Sequence, residues 1–144
     1  MAGALTTPTR TTQDIGQIMK AEIKISLACV SDSATGLVPD QALTGLDGYV
    51  LTQVQPVPDA VAPFTSAFEI KIIDANTARL YLSGSVAVDS YEILGGQTGS
   101  NDGNYPRMDE ASTFKIVDPA DSVSTLSVGN SKEITIILRF ERQV

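Results

Sequence analysis

The chain has 144 residues, of which 42% are hydrophobic and only 19% charged, and its formal charge is −7. That length fits one domain with room for a proper core, and the missing charge is made up by Ser, Thr, Gln, Asn and Gly, which suits strands with one polar face. Ten scattered Lys and Arg leave no basic footprint for a nucleic-acid backbone or an anionic membrane, and no apolar run approaches the ~18 residues of a spanning helix.

The N-terminal stretch MAGALTTPTRTTQDIG is Thr-rich, interrupted by Pro8, and has no period of 2 or 3.6. It predicts an extended arm over residues 1–16 ahead of a domain over 17–144. Leu5, Pro8 and Arg10 are the arm's candidate contact residues, seated either on a neighbouring subunit or on the arm's own domain. The stretch lacks the apolar segment of a secretory signal, which points to cytoplasmic synthesis. At most one helical turn fits near Asp14–Met19.

Over Ala21–Val30, Ile23, Ile25, Leu27 and Cys29 alternate with Glu22, Lys24, Ser26 and Ala28, the period of a half-buried strand. Cys29 therefore reads as a small buried hydrophobe; as the sole cysteine it forms no internal disulfide. Ser31–Asp40 reads as a loop, and Asp47-Gly48 precedes a strand over Tyr49–Gln55. Pro56, Pro58 and Pro63 predict a stiff crossing loop after it, because proline does not donate to a sheet ladder. A second firm strand runs through Phe68, Ile70 and Ile72 to a turn at Asp74-Ala75-Asn76.

Leu80–Leu82 and Ser85–Val88 read as short strands around Gly84, and Tyr91–Leu94 as another. Gly95–Asp109 is a long Gly-rich loop, of the kind that often carries function; Asn101, Asp102, Tyr105 and Arg107 are its candidate contact residues. Phe114–Val117 and Thr125–Val128 follow as short strands. Glu133–Phe140 is the third strong one, with Ile134, Ile136, Leu138 and Phe140 on one face. Glu-Ile-Lys-Ile occurs at both Glu22 and Glu69, which is what a half-buried strand looks like rather than an internal repeat. Eight to nine short strands with irregular Pro and Gly loops and no helical period predict an all-β, antiparallel β-sandwich or jelly-roll-like domain.

Chemistry has few residues to work with. There is no His, which removes the usual general base and the commonest metal ligand. A Ser–Lys dyad would have to use lysines that sit at solvent-side strand positions. Paired carboxylates suffice for glycoside hydrolysis, and Asp109 with Glu110 or Asp102 would be the candidates. Adjacent strand residues point to opposite faces, however, and a Gly-rich loop does not hold the spacing. Gly99–Asn104 offers oxygen ligands for Ca²⁺ but not the register of an EF-hand. Gly95-Gly96 with Gly99 is no phosphate cradle, since no Lys-Ser/Thr and no helix follow. The reading is of a non-enzymatic module without catalytic, cofactor or metal residues.

The order of elements resembles small structural proteins of tailed bacteriophages. The matching positions are the alternating strand Ile23–Val30, the hairpin Gly45–Val54, the Pro-rich crossing Pro56–Pro63, the central strand Phe68–Asp74, the Glu92–Gly96 turn and the terminal strand Ile134–Arg139. Asn76–Ser90 is extra length relative to that pattern. The resemblance implies a virion location and a capsid-decorating role, with a neck or tail component as the alternative. It also implies other virion proteins and further copies of the chain as partners. A carbohydrate-binding or adhesive sandwich using Gly95–Asp109 is a reading of a different class, and a carboxylate hydrolase a third.

Overall fold

A computed structural model describes residues 4–5, 9–14, 21–95 and 107–142. Among them run ten strands: β1 (Ala4–Leu5), β2 (Thr9–Asp14), β3 (Ala21–Val30), β4 (Gln41–Thr44), β5 (Tyr49–Pro58), β6 (Phe68–Ile73), β7 (Arg79–Val86), β8 (Leu94–Gly95), β9 (Ala111–Val117) and β10 (Glu133–Arg142). Every pairing is antiparallel. The strands form a six-stranded sheet, in which β3, β10 and β5 lie side by side, and a four-stranded sheet in the order β4-β9-β6-β7. The fold is an all-β sandwich, as the alternation predicted.

The period of 2 builds the interior. Ile23, Ile25, Leu27 and Cys29 of β3 face inward beside Ile134, Ile136, Leu138 and Phe140 of β10, all of them buried. Leu51 and Val54 extend that layer on β5. The facing layer is made by Phe68, Ile70 and Ile72 of β6, Phe114 and Ile116 of β9, Tyr81 of β7 and Leu43 of β4. Each such side chain contributes on the order of 1.5–3 kcal/mol when taken fully from water, so the contact between the two inner faces is the main stabilising term. Burial also pushes the Cys29 thiol up to about 12, because the interior disfavours the thiolate.

The loops that close the sandwich are fixed by specific bonds. Ser31 donates from Oγ to the Gly129 carbonyl at 2.5 Å and accepts from the Lys132 amide at 2.7 Å. The Val128 amide donates to the Gly36 carbonyl at 2.9 Å. Gly36 sits at φ +70°, and a Cβ there would collide with the Ser127 side chain, so this junction requires glycine. Phe64 plugs the loop after β5 into the core, edge-on to Phe68 with ring centroids 5.2 Å apart.

Several sequence expectations are corrected. β5 continues through Pro56 to Pro58, where a crossing loop was expected, and pairs with β10 at Ile136 and Ile134. Positions two apart on a strand turn their nitrogens to the same edge. β8 pairs with β5 only at Gln53 and Val54, so the prolines spoil no ladder bond if they face the edge beyond it. Leu80–Leu82 and Ser85–Val88 are not two strands: β7 runs unbroken from Arg79 to Val86, with a register shift opposite Glu69–Lys71 and Gly84 at φ +74°. Of Tyr91–Leu94, only Leu94 lies in a strand. Thr125–Val128 makes a single bridge, Thr125 to Val117, and no strand. β4 was not expected; its four residues carry only one buried position, Leu43, too few for an alternation to be read.

The arm is part of the larger sheet. Ala4 and Leu5 pair with Val30 and Cys29, and Thr9–Asp14 pairs with Ser26–Ala21. β1 and β2 thus lie end to end along the edge of β3 that β10 leaves open, with a one-residue shift in register between them.

Candidate interaction surface

The outward face of the six-stranded sheet changes character along its length. Its cross-strand rows read Lys24–Arg139–Gln53, then Ser26–Ile137–Gln55, then Ala28–Thr135–Val57, with Val30 opposite Glu133 beyond. One end is charged and amide-rich. The other places Ala28, Val30, Val57 and Ile137 on the side of the sheet away from the core, each only partly buried. The small side chain of Ala28 lets the surface sink there, forming a depression of about 270 Å³ between β3, β10, β5 and the loop that follows β5.

That loop forms the raised rim. The Asp59 carboxylate accepts from the Val61 amide at 3.0 Å and the Ala62 amide at 2.7 Å, turning the chain sharply. The Glu133 amide then donates to the Ala62 carbonyl at 2.7 Å, pinning the loop to the start of β10. The turn leaves Val61 92% exposed. Tyr91, 56% exposed, reaches the Pro58 carbonyl from its hydroxyl at 3.5 Å, and Ile93 is exposed beside it in sequence. Val61 follows Ala60 in the chain and Tyr91 reaches Pro58, and both Ala60 and Pro58 line the depression. Two carboxylates stand at the depression, those of Asp59 and Glu133.

The expected contact residues fall apart in space. Leu5 and Arg10 lie on the β3 edge, opposite Cys29 and Ile25 in register. Arg107 is exposed and bridges Val50 of β5, so β3, β10 and β5 stand between it and the arm, roughly 19 Å at ~4.8 Å per strand spacing. Pro8, Asn101, Asp102 and Tyr105 lie outside the described residues, as does the Gly99–Asn104 segment considered for Ca²⁺. The outward apolar positions Ala28, Val30, Val57 and Ile137 are not among the expected contact residues. Their signal was present: apolar residues stand at positions where the alternation calls for polar ones.

Several titratable groups have structural partners. Asp109 accepts from the Ala75 amide at 3.2 Å, the Ala111 amide at 3.2 Å and the Ser112 hydroxyl at 2.9 Å. The first of these bonds leads in holding its carboxyl below the usual carboxylate range. This is opposite to what a general acid needs; Asp109 instead ties the β6–β7 turn to the start of β9. Asp121 is held at about 2, foremost by the Ser124 hydroxyl and then by the Val123 and Ser124 amides. Cys29 gives its thiol hydrogen to the Leu27 carbonyl at 3.7 Å inside the core, where its raised pKa leaves no nucleophilic thiolate. Glu69 is 4% exposed and has one carboxylate oxygen without a hydrogen-bond partner, while Lys71, two residues on, donates to the Ser122 carbonyl at 3.0 Å. Among the described residues no group of three or more His, Cys, Asp and Glu is placed to hold a metal ion.

No protein-family model matches the chain, and no curated protein sequence matches it. The surface is thus read on its own chemistry. Its lining combines apolar side chains of β3 and β5 with the carboxylates of Asp59 and Glu133.

Proposed function

We propose that the chain is a non-enzymatic structural protein of a tailed-bacteriophage virion, decorating and stabilising the capsid through contacts with other virion proteins and with further copies of itself. The observation that carries the reading is the apolar end of the outward sheet face. Ala28, Val30, Val57 and Ile137 lie where solvent-facing residues belong, and the exposed side chains of Val61 and Tyr91 adjoin Ala60 in sequence and Pro58 by a hydrogen bond. Apolar side chains grouped at outward strand positions give a partner area to bury. The order of strand and turn motifs, which resembles small tailed-phage proteins, supplies the particle. A sandwich with rigid loop junctions suits a part whose work is to hold position.

Size-exclusion chromatography with light scattering, over a wide concentration range, tests the contact. Self-association that Ile137→Lys and Val57→Asp abolish is expected. A strict monomer at every concentration, joined with failure of the chain to co-sediment with particles on a density gradient, overturns the reading. Electron cryomicroscopy of the particles then separates a capsid-surface position from one at the neck or tail.

A further inference from the structure

The arm and β10 are both partners of β3, but they are attached by different means. β2 reads Thr-Arg-Thr-Thr-Gln-Asp and contains no apolar residue. What attaches it to β3 is the backbone ladder from Thr9↔Ser26 to Asp14↔Ala21. β1 adds the two residues Ala4 and Leu5. Meanwhile β3 needs a cover on that side, because a ten-residue strand with open amides and carbonyls is a template for pairing with another chain. The edge is specific for a strand, and the strand that fits it is present in every copy of the chain.

From this we propose that the partner of the β3 edge in the assembled protein is a second copy: β1 and β2 of one subunit lie on β3 of its neighbour, in the register seen here. The inference rests on the reading that copies of the chain assemble. The bonds are identical in the two arrangements, so only geometry and local concentration choose between them. The connection from Asp14 to Ala21 is residues 15–20, which spans roughly 20 Å when extended. A tether that short holds an attached segment at an effective concentration on the order of millimolar. In dilute solution each arm accordingly lies on its own β3. In an assembly whose neighbouring β3 edges stand within the tether's reach, the neighbour's edge competes on equal terms, and the exchange links subunits without any new contact surface.

The register supplies the test. Thr11 stands opposite Lys24, and directly opposed Cα atoms in an antiparallel pair are ~4.5–5.5 Å apart, within disulfide range. Full-length chains carrying T11C/C29A and K24C/C29A, each with a different tag, are co-expressed, concentrated and oxidised with diamide. The result expected is a mixed-tag disulfide dimer that rises with protein concentration and exceeds severalfold the dimer from a T11C/C29A and A75C/C29A pair, which reports random collision. The T11C/K24C/C29A chain should then give interchain ladders at high concentration and an intrachain bond when dilute. An intrachain bond at all concentrations, with mixed dimer no greater than the collision control, overturns the proposal. T9C with S26C, opposed in the same ladder, repeats the measurement should the first pair fold poorly. Light scattering on the same samples separates the two ideas: assembly with intrachain bonds alone rejects exchange and leaves the contact reading standing, whereas a monomer with intrachain bonds alone rejects exchange and self-association together and leaves the capsid contact to the co-sedimentation test.

Discussion

β10 and β2 flank β3 on opposite sides and pair with it in the same antiparallel sense. β10 adds a row of four buried side chains, Ile134, Ile136, Leu138 and Phe140, and is itself covered by β5 on its far side. β2 contributes no apolar residue and, among the described residues, has no strand beyond it. The two show that a ladder of hydrogen bonds and a place in the core are separable contributions. A backbone bond is worth only about 1 kcal/mol net, since the unfolded chain bonds to water instead. Inward apolar area is what commits a strand to its own domain.

The largest effect that sharpens this contrast is in β10. Phe140→Ala should lower the free energy of unfolding by about 3–5 kcal/mol, measured by urea denaturation, because it empties a fully buried site between the sheets. Proline scanning then compares the strands directly. Ile136→Pro and Ile137→Pro should each cost about 3 kcal/mol or more, since β10 has a neighbour on both sides and either nitrogen faces a partner. Of Thr11→Pro and Thr12→Pro in β2, one should cost about 1 kcal/mol and the other almost nothing, because successive amides point to opposite edges and, among the described residues, only the edge facing β3 is paired. Equal large losses in both strands would break the comparison.

Cys29 lies on β3 between the two, and reports on the core by pH. Its folded-state pKa is raised to about 12 by burial, so the stability it supports is complete below the unfolded value near ~8.5 and is lost as pH rises towards about 12. Alkaline titration of the melting temperature should show that decline, and Cys29→Ala should flatten it. Outside the core the effects shrink. Ile137→Lys should change stability by no more than about 0.5 kcal/mol while removing association in light scattering. The smallest expected effect is at Asp121, whose lowered pKa works in the opposite sense. Its contribution is present above the unfolded value of ~3.9 and fades as pH falls towards about 2, visible as lower protection of the Val123 and Ser124 amides relative to their intrinsic exchange rates, with Asp121→Asn removing that dependence.

The sequence by itself determined the strands whose inward positions form long rows: β3, β6 and β10 are legible because Ile23–Cys29, Phe68–Ile72 and Ile134–Phe140 alternate without interruption. Apolar–polar alternation of period 2 fits a strand and not a helix, so the all-β class follows locally. Tertiary structure decided the rest. Pro56 and Pro58 become strand residues because β8 ends short of them, which only the assembled sheet reveals. β4 exists because β9 offers an edge, since one buried Leu43 specifies nothing alone. Outward apolar residues on β3, β5 and β10 become one surface through register, which brings Ala28, Thr135 and Val57 into a single row across separate parts of the chain. The arm likewise reads from sequence as an extended segment with no core of its own. Its pairing along β3 is a property of that strand's free edge, because a polar strand takes its place from the hydrogen bonds offered to it.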